Sequence, residues 1–543
     1  MSVNYPIIPK PSDVVSIPGH FSMDKDIQVY YHEDCKEIVE LLIDLLENAI
    51  GIEIPSKIYN EDENPQGIIL DLKPKLKNIG KEGYNILITP RRIHVKARTK
   101  RGIFYSVQTM RQLLPSWAED KELKRRVDLQ LPCIEITDNP EFEWRGFMLD
   151  TARHFYSKDV VIKMLDVMAL LKLNVFHWSL TNDQGWRVQI DKYPKLVEIG
   201  SKRRESQING YLSRKKNGTP HEGYYTKEDI AEVIEHANKL FIKVIPEINM
   251  PGHCKAALAA YPEYSCTGGP FEVSTTFGIK KDVFCVGKES TFTFLQDILD
   301  EIIDMFPSDI IHIGGDEVPR KRWKVCEDCQ KRIEKEGLES TDKLQTYFTN
   351  RMAEYIISKG RTPMGWNEIL DRDLNKSVNV QFWTRWKGNL KEHLKKGGKS
   401  VMSPYTKVYL DYSYGVRPLK TVYNYSPKTR GLDDVAKNNI LGIEAPMWTE
   451  FSPTAEHMQK FVFPRLAAHA DNAWASDIQR DYKAFVRRLP AFFKRLDILG
   501  VAYTSIKASQ PGLIRRIIKL VKFFKQASEL PYEGEKKLWW DLF

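Results

Sequence analysis

Beyond residue 140 the apolar positions fall into short unbroken runs, each separated from the next by segments in which they recur every three or four residues. The runs are "WRGFML", "NVFHWSL", "KVIPEI", "DIIHIGG", "TPMGW", "NVQFW", "SVMSP" and "GIEAPMW". Unbroken runs suit strands covered on both faces, and the intervening 3.6-residue period suits helices lying over them. Two of these helices are clear, "KDVVIKMLDVMALLKL" and "TKEDIAEVIEHANKL", the latter opening on a capping box of Thr226 and Asp229. Eight strand candidates alternating with helices predict an α/β fold, a parallel (β/α)8 TIM barrel over 141–505.

Residues 1–140 show another pattern: a helical stretch "CKEIVELLIDLLENAI", two alternating runs in "YNILITPRRIHVKA" joined at a proline, and a second helix in "GIFYSVQTMRQLL". They predict a smaller α+β domain without a cluster of catalytic-type residues, packed against the barrel. After the barrel, 506–543 form a C-terminal extension in which "LIRRIIKLVKFFKQ" places its apolar residues on one helical arc and Arg515, Lys519, Lys522 and Lys525 on the other. Such a helix can lie on an anionic membrane, but the favoured expectation is that it docks on the barrel with its basic face in water.

Charge narrows the partners. The chain has 543 residues and a formal net charge of +9, yet its 72 acidic residues are mixed among the basic ones, and no nucleic-acid-reading module is recognisable. No run approaches the roughly 18–20 apolar residues of a membrane span. The start, "MSVNYPIIPKPSDVV", has no basic segment leading into an apolar one, so a cytoplasmic location is favoured over a secreted mature form. Seven cysteines cannot all pair with one another. Cys326 and Cys329 have ligand-like spacing, but no second CxxC or HxxxH comes after them, so two reduced thiols are expected rather than zinc. Cys266 and Cys285 flank a loop-like segment that a bridge between them would pin in an oxidising compartment, a pairing the sequence leaves open.

The residues just beyond each run carry the chemistry. In order come Asp150 and Arg153, Asn182 and Asp183, Glu247 and His253, Asp316 and Glu317, Trp366 and Glu368, Trp383, Tyr409 and Asp411, then Trp448 and Glu450. Barrel enzymes place their active sites at this C-terminal mouth. Acids with exposed aromatic faces suit a sugar: rings cover the apolar face of a pyranose while carboxylates and Arg hold its hydroxyls. Cleaving a glycosidic bond needs a protonated carboxyl to donate to the leaving oxygen, and Glu317 and Asp316 are the leading candidates.

"RGFMLDTARHF", "LKLNVFHWSLTNDQGWR", "PEINMPGH", "HIGGDE", "GWNEI", "YLD" and "APMWTE" occur in the order and approximate spacing of family 20 glycoside hydrolases, the β-N-acetylhexosaminidases, which this chain resembles over about 141–500. The resemblance implies an exo-acting, retaining enzyme without metal or organic cofactor, acting on terminal β-linked N-acetylglucosamine or N-acetylgalactosamine of oligosaccharides, glycoconjugates or glycolipids. It implies that the substrate's own acetamido oxygen is the nucleophile, an exception to two-carboxylate glycosidase chemistry. By the same resemblance Glu317 is the general acid, Asp316 orients the acetamido group, and Tyr409 bonds its carbonyl. Trp366, Trp383 and Trp448 wall the methyl pocket, while Arg153, Glu450 and Asp411 bind distant hydroxyls. Asp183 and His253 back the general acid, and His177 is a further supporting histidine. Asn182, Asn249 and Asn367 stand where the family often has Asp, which bears on local hydrogen bonding and pH optimum. Two rivals remain: a metal-dependent barrel hydrolase using Asp316, Glu317 and His253, disfavoured for want of an HxH or HExxH motif, and a carbohydrate-binding protein on a decayed scaffold, disfavoured by the intact trio Asp316, Glu317 and Tyr409.

Overall fold

The computed structural model describes residues 5–527 except 25, 61–62, 121–128, 385–389, 428–430, 477 and 479, with side chains in the last helix described as far as Val521. Eight parallel strands close into a barrel. In chain order they are β1 (Trp144–Asp150), β2 (Val175–Ser179), β3 (Lys243–Glu247), β4 (Ile310–His312), β5 (Thr362–Trp366), β6 (Asn379–Phe382), β7 (Ser400–Met402) and β8 (Ile440–Met447). Each of the eight apolar runs supplies one strand. Closure comes from β8 pairing with β1, Gly442 opposite Trp144 through Met447 opposite Leu149.

The strands are continuous in apolar residues because helices such as Lys158–Leu170, Lys227–Lys239 and Glu289–Met305 cover their outer faces. The expected capping box at Thr226 forms: its hydroxyl accepts from the Asp229 N–H, and the Asp229 carboxylate accepts from the Thr226 N–H.

The preceding residues build a mixed seven-stranded sheet in the order Asp13–Met23, Leu129–Asp138, Tyr84–Ile88, Arg92–Ala97, Gly67–Leu72, Val29–Tyr31, Ser56–Ile58. Only the central hairpin is evident from alternation, and it pairs as expected, Tyr84 opposite Ala97. The helix Lys100–Leu113 is buried along most of its length because it is packed on the sheet and also touches the barrel, Phe104 against Phe241 and Tyr105 against Trp474.

Ion pairs cross this seam. Arg145, fully buried on β1, donates to Glu82 at 2.7 Å. Lys172 donates to Asp138 at 3.0 Å and to the Tyr84 hydroxyl at 2.6 Å, and Arg495 donates to Glu119 at 2.7 Å.

The last helix, Leu513–Ala527, departs from expectation. Leu513, Ile514, Ile517, Ile518 and Val521 are 50–75% exposed, so among the described residues these five side chains of its apolar arc do not dock on the barrel. Contact runs instead through the aliphatic stem of Lys519, packed so closely on Gly415 that a Cβ there would lie 2.6 Å from it. No helix among the described residues is long and apolar enough to cross a membrane.

Candidate functional site

Two adjacent acids on an extended strand would point to opposite faces. Here β4 ends at His312, and the chain turns through Gly314 (φ 67°), Gly315 (φ 92°) and Glu317 (φ 48°). The glycines are required: a Cβ on Gly314 would lie 2.1 Å from Asn249 Oδ1. A left-handed Glu is costly, and strain of this kind gathers where a side chain must be aimed. The Glu317 N–H donates to Glu368 at 3.0 Å, which holds the turn.

The turn brings both acids to one imidazole. His253 Nε2 lies 3.3 Å from Glu317 Oε2 and 3.6 Å from Asp316 Oδ2, and its Nδ1 is 3.0 Å from Asp183 Oδ2. His253 also has a left-handed backbone, φ 50°, just beyond β3. Asp183 is fixed in turn by the Lys255 N–H at 3.1 Å. Burial works against the His253 proton, but the charges of Asp316, Asp183 and Glu317 outweigh it and raise its proton affinity well above that of an ordinary histidine. Burial likewise disfavours the Asp183 carboxylate, yet the His253 hydrogen bond and charge hold it below the usual range. Asp316 goes the other way: burial raises it, with Glu247 and Glu317 adding repulsion that His253 and an Asn249 hydrogen bond only partly relieve.

Facing the acids is an aromatic box. Trp366, Trp448 and Tyr409 form one buried cluster with Met148, and Trp383 and Tyr412 pack against it. Trp366 and Trp448 are 5.6 Å apart between centroids, and Trp383 stacks on Tyr409 at 6.2 Å. Arg153 lies over Trp448, 4.8 Å from its ring centre, and donates to Asp150 at 3.4 Å. Burial opposes the Arg153 charge, but Asp150, Glu450 and Asp316 outweigh it. Burial pushes the Asp411 carboxyl up to about 8, with the Glu450 charge adding to the effect. Asp411 Oδ1 and Trp383 Nε1 are both buried without a hydrogen-bond partner, as polar atoms meant for a hydroxylated ligand would be.

Every residue predicted from the sequence to serve the site, except His177, therefore lines or backs one mouth. His177 sits inside the barrel, 2.9 Å from Glu444 and 3.4 Å from Glu247, and meets the box at Trp366, whose ring centre is 5.9 Å from its own and whose Nε1 donates to Glu247 at 2.7 Å. Three neighbours have no role that the sequence alone assigns. Asn249 donates to Asp316 at 2.8 Å, Glu368 holds the Glu317 amide, and Tyr211, from the loop before Gly223, brings its hydroxyl near Glu450 and helps to hold the Glu450 proton affinity down. Glu368, placed just beyond a strand run, and Asn249, within "PEINMPGH", carry a local signal; Tyr211 carries none.

Residues 142–477 match the model of the glycosyl hydrolase family 20 catalytic domain, and 4–139 match domain 2 of the same family. The chain belongs to glycosyl hydrolase family 20. Among its family 20 relatives is a β-hexosaminidase of Porphyromonas gingivalis (strain ATCC BAA-308 / W83), 36% identical over 93% of this chain, of whose length the chain spans 65%. The family 20 fold is shared with the solved β-N-acetylhexosaminidase of Bacteroides fragilis NCTC 9343, at 31% identity and a TM-score of 0.77 over 93% of this chain and 98% of that one. It is shared also with the GH20 exo β-N-acetylglucosaminidase of Vibrio harveyi solved with N-acetylglucosamine, at 28% identity and a TM-score of 0.80 over 93% of this chain and 79% of that one.

Proposed function

We propose that this family 20 chain is an exo-acting β-N-acetylhexosaminidase that removes terminal, non-reducing β-linked N-acetylglucosamine or N-acetylgalactosamine with retention of configuration. The observation that carries the reading is the pairing of two unlike carboxyls on one turn, Glu317 one-third exposed and Asp316 buried, opposite a box of three tryptophans and Tyr409. The box is lined with aromatic rings that suit an acetamido methyl, and Tyr409 supplies a hydroxyl beside it.

The acetamido oxygen attacks the anomeric carbon as the bond to the leaving oxygen breaks, and Glu317 gives that oxygen its proton. Asp316 holds the acetamido N–H, and its negative charge opposes the positive charge developing on the oxazolinium ring. That charge is largest near the transition state, so the interaction is differential. Water, deprotonated by Glu317, then opens the ring. His253, with Asp183 behind it, keeps the two acids in register. Arg153, Asp411 and Glu450 bind hydroxyls remote from the scissile bond, consistent with the unpaired Asp411 Oδ1.

A metal-centred alternative would use the His253, Asp316 and Glu317 donors, which lie within 4.8 Å of one another. Against it, the chain has no HxH or HExxH motif to complete a ligand set.

The test compares a chromogenic β-N-acetylglucosaminide with the matching β-glucoside, using wild type, Glu317→Gln and Asp316→Asn. Cleavage confined to the acetamido substrate and lost by orders of magnitude in both variants is expected. Equal cleavage of the two sugars would show an enzymic nucleophile and overturn the role given to Asp316.

A further inference from the structure

Four of the seven cysteines converge away from the catalytic mouth. Cys266, Cys285, Cys326 and Cys329 place their sulfurs within 4.8 Å of one another, and all but Cys266 are buried. The separations are 3.8 Å for Cys266 and Cys329, 3.7 Å for Cys285 and Cys326, and 3.7 Å for Cys285 and Cys329. Four thiolates about 2.3 Å from a central zinc stand about 3.8 Å apart along the edges of the tetrahedron. A disulfide needs about 2.0 Å between its sulfurs, and it joins them in pairs. Here Cys285 is equidistant from two partners, which is an arrangement around a point and not a pair of bonds.

The backbone is shaped for the cluster. Ser265 and Phe284 form an isolated antiparallel bridge and the Cys285 N–H donates to the Tyr264 carbonyl at 2.8 Å, which holds the segments carrying Cys266 and Cys285 side by side. Cys326 is the N-cap of the helix Glu327–Lys335 and Cys329 lies in its first turn, where free amides and the helix dipole favour thiolates. Gly287, two residues beyond Cys285, lies against the first turn of that helix. Gly287 must be glycine for this approach, since a Cβ would fall 2.1 Å from the Asp328 carbonyl carbon and 2.4 Å from the Cys329 nitrogen. Trp323 Nε1 donates to the Phe284 carbonyl at 2.9 Å, tying the two segments together beside the sulfurs.

We propose that these four cysteines form a structural tetrathiolate site for one zinc ion. The ion joins the segment after β3 to the segment after β4, the two that carry His253 and Glu317. Residues enclosed between Cys266 and Cys285 touch the relay directly: the Ser274 N–H donates to the Asp183 carbonyl, and the Phe284 N–H donates to the Pro251 carbonyl, two residues before His253. With all four positions filled by protein, the metal has no place for water and takes no part in hydrolysis. The sequence hid the site because its single CxxC finds its partners 41 and 60 residues upstream, at Cys285 and Cys266, on another loop.

The experiment measures zinc and iron by mass spectrometry in the full chain purified under reducing conditions, beside Cys329→Ser and, as a control, Cys133→Ser. One zinc per chain in wild type and control, falling at least tenfold in Cys329→Ser with a lower unfolding temperature, is the expected result. Because Cys329→Ser could fail to fold, a second measurement uses wild type grown with cobalt, whose tetrahedral tetrathiolate absorption reports the ligand set directly. Metal-free protein with four reactive thiols, metal-free protein four hydrogens lighter from two disulfides, one equivalent of iron, or unchanged zinc in Cys329→Ser would each overturn the assignment.

Discussion

The barrel holds two histidine–carboxylate clusters built from the same residue types and put to different ends. In the interior, His177 bridges Glu444 and Glu247, and His312 lies 3.4 Å from Glu247. At the mouth, His253 bridges Asp183 and the Asp316–Glu317 pair. Burial works against the His177 proton, and the two glutamates overcome it to push His177 up to about 9, much as the carboxylates do for His253. The interior acids are sealed by neutral donors, Trp144 and Gln381 on Glu444 and Trp366 on Glu247. The mouth ends instead in a carboxyl with 33% of its side chain exposed. A cluster of these groups is therefore not itself a site; one end must be left open to a substrate.

The sharpest separation is expected from Glu317→Gln. Removing a general acid costs about 10²–10⁴ in rate, so kcat/KM on an acetamido substrate should fall by about three orders of magnitude while the unfolding temperature stays put. Glu444→Leu should do the reverse. Taking one partner from a buried ionic group leaves the other uncompensated, at about 3–5 kcal/mol. Denaturant unfolding should register that loss while the folded enzyme keeps its kcat within a few-fold. If Glu444→Leu abolished turnover without loss of stability, the distinction between the clusters would fail.

A smaller effect tests how the mouth is tuned. Asn249→Asp exchanges the donor facing Asp316 for an acceptor, so the Asp316 proton affinity must rise further. The ionised Asp316 is then lost at higher pH as the solution is acidified, and the acid limb of kcat/KM should move up by about one unit, the equivalent of a hydrogen bond of about 1.4 kcal/mol. An unmoved limb would mean that Asp316 is not the group titrating there. Tyr211→Phe removes only the hydroxyl that meets Glu450; a loss of about 1 kcal/mol should raise KM about fivefold and leave kcat alone, which initial-rate kinetics would show.

These clusters are not equally legible in the sequence. The mouth can be read because its residues come just after each apolar run, where the chain must turn and side chains are freed from the core. Glu444 and His312 lie within runs, "GIEAPMW" and "DIIHIGG", and a buried charge there is invisible until the strands are closed and its partners appear; Glu247, at the end of "KVIPEI", reads from the sequence as a mouth residue, but the closed barrel joins it to His177 and His312. Eight strands are clear because unbroken apolar runs are distinctive. The long first strand of the leading sheet is not: Pro18 and Gly19 interrupt its alternation, and its register with Leu129–Asp138 shifts between Ser16 and His20. Tyr211 comes from a loop without periodicity, so nothing local marks its reach to Glu450. The tail is misjudged for a related reason, since helical periodicity gives the arc on which apolar residues lie but not whether anything covers it.

The ion pairs at the seam bear on how this protein can be divided or recombined. Arg145, Lys172 and Arg495 are barrel-side cations whose anions, Glu82, Asp138 and Glu119, all belong to the first 138 residues. A barrel expressed alone would expose or strand three cations in an apolar surface, and a chimera carrying another leading sheet would have to reproduce three acids at matched positions. The two units behave as a single cassette for shuffling, and the safe cut points lie outside the pair.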